Sequence, residues 1–138
     1  LTDKEKMILT PTYHVMEMYN VHQDATLIPV SLNGINYVQG TDSLPALSVS
    51  ASKDKSGLVH VSLVNIDPVK EAAISLDMDG TAFKQITGRI LASAHLQDYN
   101  SFENPDKIKP VSFNGASLKG NTLQVKLPPA SVIVLELK

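Results

Sequence analysis

Apolar residues are spaced in two different ways along this chain, and the change predicts a helix followed by a β-domain. Near the start they recur every three or four residues, as on one helix face, at Val15, Met18 and Tyr19, with Val21 or His22 a turn later. Thr10 fits the N-cap and Pro11 the first helical position, where its missing N–H costs nothing. The apolar run at residues 7–9 is typical of a buried strand end. We therefore expect one short strand and one α-helix first.

From residue 25 onward, apolar and polar residues alternate with the period of β-strands. In the segment ALSVSAS, Leu47 and Val49 point to one face, and Ser48, Ser50 and Ser52 point to the other. Further strands are predicted in LVHVSLVNI, AISLDM, FKQITGRILA, NTLQVKL and SVIVLEL. Many short strands separated by frequent turns indicate a sandwich or a barrel. The predicted fold is mainly β, an antiparallel β-sandwich that follows the strand and the helix.

Composition narrows the class of protein more than it identifies the function. The chain has 138 residues, 43% of them apolar, and a net charge of −2, which suits one globular domain. No basic stripe favours nucleic acid, and no basic amphipathic helix or long apolar run favours a membrane. The absence of cysteine excludes disulfides and thiolate catalysis. The sequence is compatible with the bacterial cytoplasm, the periplasm and secretion.

Candidate metal and catalytic residues are few, and each has a simpler interpretation. His14, Glu17 and His22 share the predicted helix, but the two histidines lie about 80° apart around its axis, and no third ligand has a motif spacing. Asp77 and Asp79 share one side of a strand end. Paired carboxylates can bind calcium or act as acid and base, but a solvated turn is the better interpretation here. We therefore predict no catalytic, metal-binding or cofactor-binding residue in this chain.

Ser131 could be imagined in a catalytic triad, but the flanking PPASVIV has no glycines of a nucleophile elbow, so a strand start is expected. The longest irregular stretch covers residues 96–110, and loops of this length are often functional or packed against another element. A carbohydrate-binding module would present aromatic rings to a sugar. The chain has no Trp, and only Tyr99 and Phe102 lie close together, which weakens this alternative.

Several segments carry a resemblance to a known family. MILTPTYHVMEMYNVHQDATLIPV resembles the segment that ends the catalytic barrel and begins the C-terminal domain of α-L-arabinofuranosidases of glycoside hydrolase family 51. The segments that resemble later parts of that domain, in the same order, are VHVSLVNIDPVKEAAISL, YNSFENPDKIKP and NTLQVKLPPASVIVLEL. Ser101 stands where the family loop has Thr. The resemblance covers nearly the whole chain.

The resemblance implies a non-catalytic role for this chain. Family members have a (β/α)8 barrel beside a jelly-roll β-sandwich, need no cofactor, are often hexameric, and remove terminal α-L-arabinofuranosyl units with retention by using two Glu residues. Both catalytic residues would lie upstream, and no glutamate here sits in a matching motif, namely Glu5, Glu17, Glu71, Glu103 and Glu136. The chain alone is therefore expected to be inactive.

By the same resemblance, residues 1–24 would be the last strand and helix of the barrel, and residues 25–138 the C-terminal sandwich. The expected partners are the barrel itself, further copies in a homo-oligomer and, for the parent enzyme, arabinose-containing polysaccharides. Without the barrel, the helix should expose Val15, Met18 and Tyr19. We expect self-association through this helix or through a sandwich edge. The alternatives are a carbohydrate-binding module with its own affinity for arabinose-containing glycans and a sandwich whose only role is oligomer assembly.

Overall fold

The strands predicted from alternation form two antiparallel sheets in the computed structural model, which describes all 138 residues. The chain begins with β1 (Thr2–Asp3), β2 (Lys6–Met7), α1 (Pro11–Tyr19) and a 3-10 turn (Asn20–His22). It continues with β3 (Thr26–Ile28), β4 (Asn36–Gln39), β5 (Asp42–Pro45), β6 (Leu47–Lys53), β7 (Val59–Asn65) and β8 (Ala72–Asp77). It ends with β9 (Ile86–Ala92), β10 (Val111–Ser112), β11 (Ala116–Lys119), β12 (Thr122–Leu127) and β13 (Ser131–Leu137).

The two sheets pack face to face, which confirms the predicted β-sandwich. The larger sheet has the order β10-β9-β13-β7-β6-β3 and the smaller one β11-β12-β8. Thirteen buried apolar residues from both inner faces form one core, including Leu63 and Leu135 of the larger sheet and Leu123 and Leu127 of the smaller one. Two separate hairpins, β1–β2 and β4–β5, lie outside the sandwich.

Strand β6 shows why the alternation was informative. Leu47 and Val49 pack against the core while Ser48 and Ser50 are exposed on the outer face, as predicted. The turn to β7 is held by Asp54, whose carboxylate accepts the backbone N–H of Ser56 at 2.8 Å and of Leu58 at 3.0 Å. Short Asx turns of this kind are the reason that Asp is favoured between strands.

Asn65 connects the end of β7 to two neighbouring loops. Its side-chain amide donates to the carbonyls of Lys70 at 2.9 Å and Pro128 at 3.1 Å, and its Oδ1 accepts the N–H of Asp67 at 3.0 Å. The residue is buried. A buried amide whose donors and acceptor are all matched fixes these loops, and replacing it would leave buried backbone groups unpaired.

The N-terminal segment differs in detail from the expected strand over residues 7–9. The strand covers only Lys6–Met7, and it pairs with Thr2–Asp3 in a hairpin that the hydrophobic pattern did not predict. Lys4 takes a left-handed φ of 53° in the turn. Ile8 is buried but has left the strand conformation. The apolar run therefore marked a buried point of the chain and not a strand of its own.

The helix begins as predicted, but the prediction about its exposed face was wrong. Thr10 is the N-cap, and its hydroxyl accepts the N–H of Tyr13 at 3.1 Å. Met18 is only 1% exposed, and Val15 and Tyr19 pack with it against the outer face of the larger sheet. Because the helix folds back onto the sandwich, its apolar face already has a partner within this chain.

Candidate functional site

Helix α1 and the 3-10 turn lie against the outer face of the larger sheet. We call this contact, between residues 11–22 and strands β6, β7, β9 and β13, the helix–sheet joint. Met18 packs there with Leu91, Ile108 and Val134. A cleft of about 170 Å³ opens beside Met18 and is also lined by His60, Arg89 and Glu136. Apolar contacts and titratable groups are thus combined in one place.

The outer face of β13 explains why the helix packs there. Ile133 and Leu135 point into the sandwich core, whereas Val132 and Val134 point outward toward the helix. A strand that is apolar on both faces is typical of a strand covered on both sides. Met18 fits over Val134, which is 8% exposed.

His22 joins the 3-10 turn to the two neighbouring strands β6 and β7. Its Nδ1 lies 2.6 Å from Ser52 Oγ and its Nε2 lies 2.6 Å from Ser62 Oγ. Burial, followed by the charge of His60, lowers the pKa of His22. Sequence analysis considered His22 for metal binding, but both of its ring nitrogens contact serine hydroxyls.

His60 lies beside this contact on β7, opposite Ser52 of β6 in the ladder. Its Nε2 is 3.5 Å from Glu136 Oε2, while its buried Nδ1 has no hydrogen-bond partner in the chain. Val59 and Val61 on either side of His60 face the core, so His60 points outward, but no sequence motif identified it as a partner of Glu136. The missing signal was the pairing of β7 with β13.

Glu17 is engaged in an ion pair at the edge of the same joint. Both of its carboxylate oxygens accept hydrogen bonds from Arg89, each at 2.9 Å. These bonds lower the pKa of Glu17 and raise the pKa of Arg89. His14 is buried on the helix and, like Glu17, is not part of any metal-binding cluster.

The long loop is packed against the N-terminal segment. Asn100 is buried; its amide donates to the carbonyls of Leu9 and Ile108, both at 2.8 Å, and its Oδ1 accepts the N–H of Ile108 at 2.7 Å. Lys107 bonds to Asp98 at 2.7 Å. Its hydrogen bond is the main reason that the pKa of Asp98 is lowered. Asn100 therefore anchors the loop beside the start of α1.

The other candidates named from sequence are not assembled into a reactive site. Asp77 and Asp79 end β8 in an exposed turn, where the Asp77 carboxylate accepts the N–H of Asp79. Ser131 begins β13, and its hydroxyl donates to the Pro128 carbonyl at 2.7 Å. Tyr99 is 69% exposed, but Phe102 is partly buried, so the two do not present a pair of open rings.

The glutamates do not show the features of a retaining glycosidase pair. Glu17 is bound to Arg89, and Glu136 contacts His60 and Lys138. A general acid needs a raised pKa, but the pKa values of Glu17 and Glu103 are lowered, that of Glu103 mainly by its hydrogen bond with Ser101.

An exposed apolar surface lies on the N-terminal segment, on the side of α1 that turns away from the sandwich. Met16 is 70% exposed and Tyr13 is 49% exposed, and Met7 of β2 is 68% exposed. Helix residues three apart lie on one face, so Tyr13 and Met16 are neighbours. No helix of the chain is long and apolar enough to cross a membrane.

These observations define a class: an antiparallel β-sandwich with an N-terminal helix packed on its outer face and an apolar surface beyond that helix. Comparison with known proteins gives the family. The family described as Alpha-L-arabinofuranosidase C-terminal domain matches residues 1–131. The chain belongs to this family.

Several similar proteins extend well beyond this chain. An intracellular exo-alpha-L-arabinofuranosidase of Bacteroides ovatus is 42% identical over all of the chain, which spans 27% of that protein. The GH51 arabinofuranosidase of Xanthomonas axonopodis pv. citri is 39% identical with a TM-score of 0.97, and the chain covers 28% of it. The GH51 enzyme of Thermotoga petrophila, at 20% identity and a TM-score of 0.84, shares the fold. The chain therefore spans about a quarter of these relatives.

Proposed function

We propose that this chain is the non-catalytic C-terminal domain of an α-L-arabinofuranosidase. The proposed parent enzyme hydrolyses terminal non-reducing α-L-arabinofuranosyl residues of arabinan and arabinoxylan with retention, and both catalytic Glu residues lie outside this chain. The observation that carries the proposal is the match to about a quarter of a GH51 enzyme, at 39% identity and over the whole chain.

The domain's role in this proposal is to brace the catalytic barrel. The domain boundary proposed from the sequence gives residues 1–24 to the last barrel strand and helix and residues 25–138 to the sandwich. The buried side of α1 supports a role as connector, since Met18 packs on the sandwich. The opposite side supports contact with the rest of the barrel, because Tyr13 and Met16 expose apolar surface that a partner would cover.

The first test is activity with a chromogenic α-L-arabinofuranoside. The chain alone should give no turnover above the buffer rate, whereas the parent enzyme should be active. Turnover by the 138-residue chain would overturn the proposal.

The bracing role is tested in the parent enzyme with Met16→Ser, alone and together with Tyr13→Ser. We expect a shorter half-life of activity on heating, because the contact between the barrel and α1 is weakened. Val69→Ser is the matched control, since Val69 is 80% exposed on a loop between β7 and β8. Equal half-lives for the three variants and the parent would contradict bracing through this face.

We further propose that the parent enzyme is a homo-oligomer. The supporting observation is the isolated hairpin β4–β5, which exposes Val38 and Leu44 together with the preceding Ile35. Two-stranded hairpins alone are marginally stable, so a neighbouring subunit would stabilise it. Sedimentation of the parent enzyme over a concentration series should show an assembly larger than a monomer. A monomer at every concentration would contradict this part.

A carbohydrate-binding module is the second candidate, and the exposure of Tyr99 is the observation that favours it. A single exposed ring provides one stacking contact, which is weaker than the aromatic platforms of such modules. Calorimetric titration with arabino-oligosaccharides distinguishes the two. Heat of binding that disappears in Tyr99→Ala would favour the module, and no heat would favour the structural role.

A further inference from the structure

Two serine hydroxyls from neighbouring strands hold the His22 ring. Ser52 is 4% exposed and Ser62 is fully buried, and both lie 2.6 Å from a ring nitrogen. A neutral imidazole has one donor and one acceptor nitrogen, so it donates to one serine and accepts from the other. A protonated ring only donates. One buried hydroxyl would then lose its acceptor, which costs stability unless another group replaces it.

The surroundings add to the cost of protonating this ring. Tyr19 packs edge-on against His22, with ring centroids 5.7 Å apart. Burial raises the pKa of Tyr19 more than its hydrogen bond with Ser62 lowers it, so its phenol stays neutral near pH 7 and provides no negative charge. Ser52 is therefore the hydroxyl without a second partner. Burial of His22 itself, and then the nearby His60, lower the pKa of His22.

The carboxylates around the joint lie near His60 and not near His22. From β13, Glu136 lies 3.5 Å from His60 Nε2, and from the end of that strand Lys138 lies 3.0 Å from Glu136. Asp54, in the turn after β6, is close enough to His60 to interact with it electrostatically. The carboxylates that face this region therefore act on His60, and His22 has no carboxylate partner.

We propose that the helix–sheet joint is acid-sensitive: protonation of His22 releases the 3-10 turn from β6 and β7 and thereby loosens the C-terminal end of α1 on β9 and β13, while the sandwich stays folded. The small size of the apolar cluster supports local release, because only Met18, Leu91, Ile108 and Val134 are buried in it. Regions with few buried apolar contacts open at lower free energy than the main core. This device is independent of the proposed enzyme function.

The pH range follows from the direction of the shift. The pKa of His22 is lower in the folded state than its ordinary value of about 6.5. The unfolded or released state therefore binds the proton more tightly, and acid favours it. The stabilising contribution of the neutral ring is complete above about pH 6.5 and decreases as the pH falls through the folded pKa.

The test compares hydrogen-exchange protection of α1 and β13 amides in the 138-residue chain between pH 7.5 and pH 5. Protection factors correct for the pH dependence of intrinsic exchange. We expect α1 protection to decrease by up to about tenfold per pH unit, the limit for one proton, with β13 protection changing less. His22→Gln, which keeps a donor and an acceptor, should remove most of the difference. His95→Gln, at an exposed loop position, is the matched control and should behave as the unchanged chain.

Two results would overturn the proposal. One is a parallel loss of protection in α1 and β13, which would indicate global unfolding. The other is an unchanged pH dependence in His22→Gln. If that variant does not fold, ring titration of His22 in the unchanged chain by NMR decides, because a titration midpoint at or above about 6.5 would contradict a neutral, buried ring.

Discussion

The sandwich core and the helix–sheet joint are both apolar, but different kinds of contact hold them together. The core combines thirteen buried residues from two sheets whose strands are continuously hydrogen-bonded. The joint has four buried apolar residues, and the contacts that surround it are side-chain bonds of His22, Glu17 and Asn100. From this difference we expect the joint, with fewer buried apolar residues, to open at a lower free energy than the sandwich core.

The largest expected effect is a cavity in the core. Leu135 is fully buried on β13, so Leu135→Ala removes apolar contacts to both sheets and should lower the free energy of unfolding by about 4 kcal/mol. Denaturant titration followed by circular dichroism measures this loss. Val69→Ala, at an exposed position, should change stability by less than about 0.5 kcal/mol. A similar loss of stability in both variants would show that Leu135 contributes no more to the packed core than the exposed Val69 does.

A smaller and more local effect is expected for Met18→Ala. The side chain is 1% exposed, but the thin layer around it can relax, so we expect a cost of about 2 kcal/mol. Hydrogen exchange should be faster in α1 and nearly unchanged in β13. Met16→Ala, on the exposed side of the same helix, is the control and should have little effect on either. If Met18→Ala accelerates hydrogen exchange equally in α1 and β13, the joint and the core open together and are not separate layers.

The smallest effect is expected for Glu17→Gln. The Arg89–Glu17 pair is bidentate, but both side chains are at least 40% exposed, so solvent screening limits the loss to below about 1 kcal/mol. The pKa of Glu17 is lowered in the folded state, so its contribution is present above the unfolded value, about 4.3, and is lost as the pH falls. At low salt the variant should have the smaller free energy of unfolding, and at 1 M salt the variant and the unchanged chain should have the same value. A difference that persists at 1 M salt would indicate more than an ion pair.

Sequence reasoning was most successful where one local rule decided the structure. Alternation placed Leu47 and Val49 in the core, and Thr10 and Pro11 set the helix start. It failed where distant segments meet. The expectation that Met18 would be exposed treated the helix alone, although a two-sided apolar strand such as β13 already indicated that something covers its outer face.

The missed elements and contacts have the same physical cause. The hairpin β4–β5 lies outside the sandwich and has little burial, so its pattern of apolar residues is weak. The contact of His22 with Ser52 and Ser62 spans 30 and 40 residues along the chain. Such a contact depends on strand order, which periodicity does not determine. The family resemblance supplied the class of protein, but the roles of these side chains came from geometry.

The position of β13 has a consequence for how the chain is made. This strand lies between β7 and β9 and pairs with both along its full length. During synthesis, β7 and β9 therefore leave the ribosome before the strand that will join them, and their facing edges stay unpaired until Leu137 has emerged. Unpaired edges attract other chains. The larger sheet is therefore completed at its centre by β13, and chaperone contact is expected to be greatest while the edges of β7 and β9 are unpaired.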